Sequence, residues 1–314
     1  MSIEQDTHNH KAGMVYDQLC EMTKDVAPTA TAVIHPCDEA SLKGAMSARD
    51  RDLIIPILVG PESRIKAIAE EFEIDIEGCQ IVDAPHSHAS SEASVELVKE
   101  GRAAALMKGA LHTDEIMSAV LHKTLGIRTE RRMSHVFVLD VPRYAKPLLI
   151  TDAAINIAPD LAVKADIVQN AIDLAKSMGT ACPKVAILSA VETVNPKIPS
   201  TIEAAALCKM ADRGQITGGV LDGPLAFDNA ISKRAVAAKG IISDVAGDAD
   251  ILVAPDLESG NMIAKQLMYL AGAESAGIVI GARVPIMLTS RADGEKARLA
   301  SAMVAELYAT WQKP

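Results

Sequence analysis

The chain has 314 residues, of which 49% are hydrophobic and 23% are charged, a mixture typical of a globular protein that buries a large core. Its net charge of −10 and its 3% of aromatic residues argue against a nucleic-acid-binding protein, which needs basic residues interleaved with aromatic ones. No run of about 18 apolar residues occurs, so neither a membrane-spanning helix nor a membrane partner is expected.

Short, continuously apolar runs alternate with helical patterns along the chain. The predicted strands are Thr31–His35, Leu53–Val59, Ala103–Met107, His135–Leu139, Leu148–Thr151, Val185–Ser189, Gly219–Asp222, Ile251–Ala254, Gly277–Ile280 and Ile286–Leu288. The clearest predicted helices are Glu39–Ala48, Glu62–Phe72, Asp160–Met178, Met262–Leu270 and Gly294–Trp311. Continuous apolar runs indicate strands covered on both faces, and their alternation with helices predicts an α/β fold with mostly parallel sheets.

The length suits two domains of roughly 150 residues each. A polar, Pro-containing turn at Val141–Tyr144 marks one boundary. The second half of the chain is complete as a predicted domain without the last helix, which suggests that this helix belongs to the first domain. We therefore expect a discontinuous first domain, residues 12–140 plus 285–314, with a second domain, residues 141–284, inserted between its two parts. The second domain is the expected dimerisation domain.

The cysteines and histidines suggest neither disulfides nor a metal site. The five cysteines are scattered, odd in number and without a CxxC pair, so reduced cytoplasmic thiols are the simplest interpretation. The segment Met1–Lys11 is polar and lacks the apolar centre of a secretory signal. His86 and His88 lie in a polar, Ser-rich stretch and are interpreted as solvated rather than metal-ligating.

Ligands of parallel α/β sheets bind at the carboxyl ends of the strands, so the residues that follow each strand are the candidate site. Lys108 and Gly109 end one predicted strand, and His112 and Thr113 follow. Thr113 could cap a helix that starts at Asp114, and a helix N-terminus favours phosphate. The alternative is a lysine at an ordinary turn with a threonine cap.

Two further strand ends carry polar groups, namely Asp152 with Asn156 and, later in the chain, Asp222. The segment Pro255–Asn261 follows another predicted strand. Asp256 is a plausible helix cap, and Glu258 lies in the first helical turn, where negative charge is favourable. Gly260 and Asn261 are less easily explained, because glycine inside a helix costs about 1 kcal/mol relative to alanine. Close approach by a ligand or another chain would account for them.

The last predicted strand is followed by Ser290 and Arg291. A guanidinium offers a planar fork of donors that suits phosphate or a developing oxyanion, and a serine hydroxyl can donate to a thiolate or carbonyl oxygen. A cap with a solvated arginine is the alternative. The chain has no GxSxG, GxGxxG, GxxxxGK[ST] or HExxH sequence, which argues against a serine hydrolase, a dinucleotide site, a P-loop and a zinc protease.

Five segments in their order along the chain resemble the phosphate acetyltransferase/phosphate butyryltransferase family. They are ALMKGALHTDEIM (105–117), LLITDAAINIAPDLAVKADIVQNAIDLA (148–175), LDGPLAFDNAIS (221–232), ADILVAPDLESGNMIAKQL (249–267) and PIMLTSRAD (285–293). The similarity extends from about residue 15 to residue 312. PDLESGN and LDGP are the more specific motifs, whereas TSRAD is specific only in their company.

The resemblance implies a two-domain fold like that of the isocitrate and isopropylmalate dehydrogenases, with an interdomain cleft, and a homodimer. The implied reaction converts acyl-CoA and phosphate to acyl phosphate and CoA, without a metal or redox cofactor. By motif, Ser290 and Arg291 lie in the active site, with Arg291 neutralising phosphoryl charge and Ser290 stabilising the thiolate or the oxyanion.

One departure from the family concerns the general base. The acetyl-specific branch has a carboxylate seven positions beyond the serine, and here that position is Ala297. Asp293 is the candidate base, and deprotonation by the phosphate substrate is the alternative. The branch also uses arginines of the first domain, for which Arg132 is the candidate. The substrate-binding residues expected on this basis are Lys108, His112, Thr113, Arg132, Ser134, Asp152, Asn156, Asp222, Asp256, Glu258, Gly260 and Asn261.

Arg132 belongs to a basic cluster with Arg128 and Arg131, and a solvated basic loop is an equally good interpretation of that cluster. Two other functions stay open. One is a noncatalytic relative that binds acyl-CoA or phosphate, and the other is an oxidoreductase like the decarboxylating dehydrogenases. The sequence does not fix the acyl chain length, with acetyl expected first and butyryl second.

Overall fold

The computed structural model describes residues 13–288 and 294–312. The chain divides into two units. Unit I comprises Leu19–Met133 and the described residues from Ala276 onward, and unit II comprises the described residues up to Gln18 together with Ser134–Ser275. The unit boundaries fall at 18/19, 133/134 and 275/276, and the last two lie seven and nine residues before the domain boundaries expected from the sequence.

The strands are β1 (Thr29–Ile34), β2 (Ile54–Gly60), β3 (Gln80–Asp83), β4 (Ala105–Lys108), β5 (Ser134–Asp140), β6 (Leu148–Thr151), β7 (Lys184–Leu188), β8 (Val220–Leu225), β9 (Ile251–Val253), β10 (Glu274–Ile280) and β11 (Ile286–Met287). The helices are α1 (Met14–Thr23), α2 (Glu39–Arg49), α3 (Glu62–Glu71), α4 (Ser87–Lys99), α5 (Thr113–Leu121), α6 (Leu161–Ser177), α7 (Pro199–Asp212), α8 (Phe227–Ile231), α9 (Lys233–Lys239), α10 (Leu257–Leu270) and α11 (Glu295–Trp311).

In unit I the strands are ordered β3-β2-β1-β4-β11-β10. All neighbouring pairs are parallel except β10 with β11. Apolar residues of β1, β2 and β4 are almost fully buried, as expected for strands covered on both faces. Asp38 caps α2, since its carboxylate accepts a 2.8 Å hydrogen bond from the Ser41 backbone N–H.

In unit II the strands are ordered β5-β6-β9-β7-β8. β6, β9, β7 and β8 are parallel, whereas β5 is antiparallel to β6. This pairing explains why β5 belongs to unit II. A core of aliphatic residues fills the unit, including Leu139, Leu148 and Ile150, which are all buried.

The prediction of an α/β fold with mostly parallel strands is confirmed. The sequence analysis missed β3 and the helices α1, α4, α7, α8 and α9. It also ended one strand too early, because β8 continues through Gly223 and Pro224 to Leu225. Proline is tolerated there because β8 lies at the end of the strand order. Within the described ranges, no helix is both long and apolar enough to cross a membrane.

Candidate active site

Three predicted catalytic residues lie outside the described residues: Ser290, Arg291 and Asp293. The structure does describe the strand that leads to them. β11 pairs in parallel with β4, with Met287 opposite Met107. The chain therefore leaves β11 next to Lys108, the last residue of β4. Ala297 lies in the first turn of α11, and the carboxylate in that turn is Glu295.

The strand order of unit I reverses direction between β1 and β4, because β2 and β3 follow on one side of β1 and β4 lies on the other. Such a reversal point is where open α/β sheets bind ligands. Lys108 is buried at this point, opposite Ile34 of β1. Gly109 follows, and a Cβ at this position would lie 2.3 Å from the Ile34 carbonyl oxygen. The glycine is required because the two strand ends approach so closely.

The residue that follows β1 at this point is His35, which the sequence analysis assigned to the strand and not to the site. Its φ of +54° places it in the left-handed region. Its buried imidazole Nδ1 lies 3.1 Å from the Ser90 hydroxyl of α4. Burial, together with the positive charge of Arg64, lowers the pKa of His35. A polar residue after the first strand was visible in the sequence, but its importance depends on a strand order that the sequence did not reveal.

Helix α5 begins differently from the prediction. Thr113 is its first residue and His112 is the N-cap, so Thr113 does not cap the helix. The His112 backbone N–H donates to Glu115 Oε1 at 3.1 Å, and the Ser87 hydroxyl donates to Glu115 Oε2. The hydrogen bond from Ser87 is the main reason that the pKa of Glu115 is lowered. Glu115 thereby links the N-termini of α4 and α5 beside the turn that follows Lys108.

In unit II, Asp152 lies directly after β6 and is only 3% exposed. Its Oδ1 accepts backbone N–H hydrogen bonds from His135 (3.3 Å), Ala154 (2.9 Å) and Ile155 (3.1 Å). Its Oδ2 accepts from the backbone and the side-chain amide of Asn156, at 3.0 and 2.6 Å. A buried carboxylate needs such donors, and here they fix the loop 152–156.

The start of α10 packs on this same loop. The Asn261 amide donates to the Ala153 carbonyl oxygen at 3.0 Å. A Cβ at Gly260 would lie 2.4 Å from the Asp152 carbonyl oxygen. The close approach expected at Gly260 is therefore made by this chain's own loop. Asp256 caps α10 as predicted, accepting from the Ser259 N–H at 2.8 Å. Glu258 is exposed in the first turn.

The other predicted residues are more dispersed. Asp222 lies within β8 rather than after it, and its carboxylate accepts a 2.8 Å hydrogen bond from the Gly223 N–H. The buried Ser134 hydroxyl accepts from the Asn170 amide at 2.9 Å. Arg132 is exposed, and so is Arg128, which forms an isolated bridge with Ala282. In unit II the structure thus brings together Asp152, Asn156, Gly260 and Asn261, but not Asp222.

Two of the five thiols, those of Cys37 and Cys208, are poor candidates for nucleophiles. Burial raises the pKa of Cys37 to about 11 and that of Cys208 to about 12. Thiols with such pKa values carry almost no thiolate near neutral pH. Within the described ranges, no three His, Cys, Asp or Glu side chains are grouped to hold a metal ion.

Comparisons with known proteins identify the family. Residues 87–305 match the model of the family described as "Phosphate acetyl/butaryl transferase". The chain is 62% identical to a phosphate acetyltransferase of Rhizobium meliloti over 294 residues, which cover 94% of this chain and 93% of the relative. The chain belongs to this family.

Two further proteins are similar to the chain at lower identity. A phosphate butyryltransferase of Clostridium acetobutylicum is 41% identical over 287 residues, which cover 91% of this chain and 95% of the relative. The structure of a branched-chain phosphotransacylase from Enterococcus faecalis superposes with a TM-score of 0.78 at 31% identity, covering 89% of this chain and 99% of the other.

The family predicted from the five sequence segments is confirmed, and with it the prediction of an acyltransferase. The range that matches the phosphate acetyl/butyryl transferase model contains Lys108, Asp152 and Asp256, and also Ser290 and Arg291. The roles of these individual residues stay predictions.

Proposed function

We propose that the chain transfers an acetyl group between CoA and inorganic phosphate: acetyl-CoA + phosphate ⇌ acetyl phosphate + CoA. The observation that carries this proposal is the identity of 62%, across nearly the whole of both chains, to a phosphate acetyltransferase. The butyryltransferase relative is 41% identical, so butyryl is the second candidate.

The reaction makes three demands on the site. In the direction of acetyl-CoA synthesis, the CoA thiolate attacks the carbonyl carbon of acetyl phosphate. The resulting tetrahedral oxyanion needs fixed donors, and the departing phosphate needs cations to hold its charge. We assign Ser290 to the thiolate or oxyanion and Arg291 to the phosphoryl group. Lys108 supports this assignment, since it ends the strand beside β11, the strand that leads into the Ser290–Arg291 segment.

The thiol proton must leave during attack, because a thiol with an unperturbed pKa near ~8.5 is mostly protonated at neutral pH. Ala297 cannot accept a proton. Asp293 is therefore the proposed base, and a phosphate oxygen of the substrate is the alternative acceptor. Restoring a carboxylate with Ala297→Asp would raise kcat if the base is limiting, and would leave kcat unchanged if another group already accepts the proton.

The predicted substrate contacts from unit II stay part of the proposal. Asn156 and Asn261 are held by the Asp152 loop, and this rigidity favours them as substrate-binding residues. Asp152 itself already accepts five hydrogen bonds, so we assign it the task of shaping this loop. The interdomain cleft expected from the resemblance to dehydrogenases, and the cytoplasmic location, are likewise proposed.

A homodimer is the proposed assembly, and α10 is the proposed contact. This helix exposes three large apolar side chains, Met262, Tyr269 and Leu270. Large apolar side chains that one helix leaves exposed are candidates for a subunit contact.

The direct test is thioester formation from acetyl phosphate and CoA by the purified chain, with propionyl, butyryl and branched-chain acyl phosphates for comparison. Lys108→Ala should lower kcat/KM by about a hundredfold, as expected for removal of a charge that stabilises the transition state. The matched control is Arg102→Ala, which removes a cation near the amino end of the same strand, where it pairs with Glu100 at 3.0 Å. It should change kcat/KM by less than about twofold.

Absence of turnover with every acyl phosphate would reject the transferase. Two measurements would then decide between the alternatives: calorimetry with acetyl-CoA, and absorbance of a nicotinamide cofactor. Binding of acetyl-CoA without turnover would favour the noncatalytic relative, and reduction of a nicotinamide cofactor with a hydroxy acid would favour an oxidoreductase.

A further inference from the structure

We propose that His35 is a positioning residue of the phosphate-binding side of the site, acting through the turn that follows Lys108, and that Ser90 holds its imidazole in one orientation. This inference rests on the proposed function, because it assigns Lys108 and its turn to phosphate binding. His35 and Ser90 are not among the residues expected from the family motifs.

The first argument is the backbone of His35. Its φ of +54° is costly for a residue with a Cβ, by roughly 1–2 kcal/mol. The result is a carbonyl oxygen that accepts from the Ala110 N–H at 2.9 Å and from the Cys37 N–H at 2.8 Å. One residue earlier, the Ile34 carbonyl accepts from the Gly109 N–H at 2.9 Å. The turn after Lys108 is therefore held by the end of β1.

The second argument is that a glycine stands on each side of His35, where a side chain would approach it closely. A Cβ at Gly109 would lie 2.7 Å from the His35 carbonyl oxygen, which no real side chain tolerates. A Cβ at Gly60, at the end of β2, would lie 3.4 Å from the His35 Cα and 3.6 Å from its Nδ1. His35 thus lies between Gly60, the last residue of β2, and Gly109, the residue directly after β4.

The third argument is the hydrogen bonding of the imidazole. The Ser90 hydroxyl donates to the His86 carbonyl at 2.9 Å, as Ser91 and Ser94 donate to the carbonyls four residues before them. Its single proton is then used, so its oxygen is left to accept from His35 Nδ1–H at 3.1 Å. This pattern of hydrogen bonds assigns the Nδ1–H tautomer to His35, with the lone pair on Nε2.

The surroundings keep this imidazole neutral. Burial lowers the pKa of His35, and the charges of Arg64 and His86 lower it further. Glu115 and Asp38 act in the opposite direction and are outweighed. Protonation is unfavourable because it would place a buried cation beside Arg64.

The experiment compares Ser90→Ala with Ser94→Ala. Both residues are buried on α4, and both donate to a carbonyl one turn earlier, but only Ser90 contacts His35. Phosphate affinity is measured by calorimetry and KM by acetyl transfer. Ser90→Ala should weaken phosphate binding by about fivefold and raise KM for phosphate equally, with KM for acetyl-CoA unchanged. Ser94→Ala should stay within about twofold of wild type.

Two substitutions at His35 separate positioning from proton transfer. Asparagine accepts the left-handed conformation and offers an N–H to Ser90, so His35→Asn should keep kcat and KM within about threefold at neutral pH. Alanine offers neither property, so His35→Ala should reproduce Ser90→Ala.

Equal phosphate affinities for Ser90→Ala and Ser94→Ala would overturn the inference. A loss of kcat in His35→Asn as large as in His35→Ala would also overturn it, because the imidazole would then take part in the chemistry. A wild-type chain that binds phosphate but transfers no acyl group would reject the proposed function alone, since the calorimetric comparison still applies. A wild-type chain without phosphate affinity would reject both.

Discussion

The Asp152 carboxylate holds Asn156 twice through one oxygen, since Oδ2 accepts both the backbone N–H and the side-chain amide of Asn156, at 3.0 and 2.6 Å. The other oxygen accepts three more backbone N–H groups. This carboxylate is the centre of the loop that we propose to contribute to substrate binding.

Asp152→Asn should therefore lower the free energy of unfolding by about 2 kcal/mol, because an amide NH₂ replaces one acceptor among donors that are already buried. Urea unfolding measures the effect, and kcat/KM should fall with it. Asp256→Asn is the control for the urea unfolding alone, because asparagine caps a helix as well as aspartate does. Equal losses for the two variants would contradict the importance of the Asp152 loop.

Two helical glycines should respond differently to alanine. Gly260→Ala places a methyl group 2.4 Å from the Asp152 carbonyl oxygen, a backbone atom fixed in its loop. Gly44→Ala in α2 meets only the flexible side chain of Arg298, at 2.6 Å. Alanine normally stabilises a helix by up to about 1 kcal/mol relative to glycine.

We therefore expect Gly44→Ala to be neutral or stabilising in thermal unfolding, and Gly260→Ala to destabilise the chain and lower its activity. A stabilising Gly260→Ala would show that the approach between α10 and the Asp152 loop is looser than the structure indicates.

A cluster at the amino ends of the unit II strands should make stability depend on pH. Asp248 lies 3.0 Å from Lys146 Nζ and 2.6 Å from Lys184 Nζ. Burial raises the pKa of Asp248, but hydrogen bonds from the two lysines outweigh this effect, and its pKa is lowered. The stabilisation is therefore present above the unfolded-state pKa of ~3.9 and is lost as the pH falls through the folded-state value.

Asp248→Asn should accordingly lower Tm at neutral pH, and the difference from wild type should shrink as the pH approaches ~3. Asp212→Asn is the control, since its pair with Lys209 is fully exposed, where ion pairs contribute little. A Tm difference for Asp248→Asn that is constant over this pH range would contradict the electrostatic origin.

The proposed dimer predicts a change in mass. Leu270→Glu puts a charge on the exposed apolar part of α10, where the leucine is 81% exposed in the single chain. Sedimentation should then show a monomer in place of a species of twice the mass. Leu125→Glu is the matched control, because Leu125 is 61% exposed in unit I. Identical sedimentation of both variants would move the contact away from α10.

Much of the architecture was readable from local patterns. The strands that the sequence predicted are mostly buried and apolar, with β8 the partly exposed exception, and β2 and β6 were located almost to the residue. The missed elements lack that signal. β3 (QIVD) is a short strand at one end of the unit I order and is only partly buried. α4 is rich in serines, whose hydroxyls donate back to carbonyls one turn earlier, so the first half of its buried face carries serines, and apolar residues follow only from Val95.

The sequence by itself determined the alternation of strands and helices, the family and the strand ends at Lys108, Asp152 and Asp256, because these depend on neighbouring residues and on motifs in fixed order. Tertiary structure alone decided which strand ends meet. Because the strand order reverses between β1 and β4, His35 is a neighbour of Gly109. Because α10 packs on β6, a Cβ at position 260 would collide with the Asp152 carbonyl oxygen, and only glycine fits there. Such contacts join residues about 75 and 110 positions apart, beyond the reach of any local pattern.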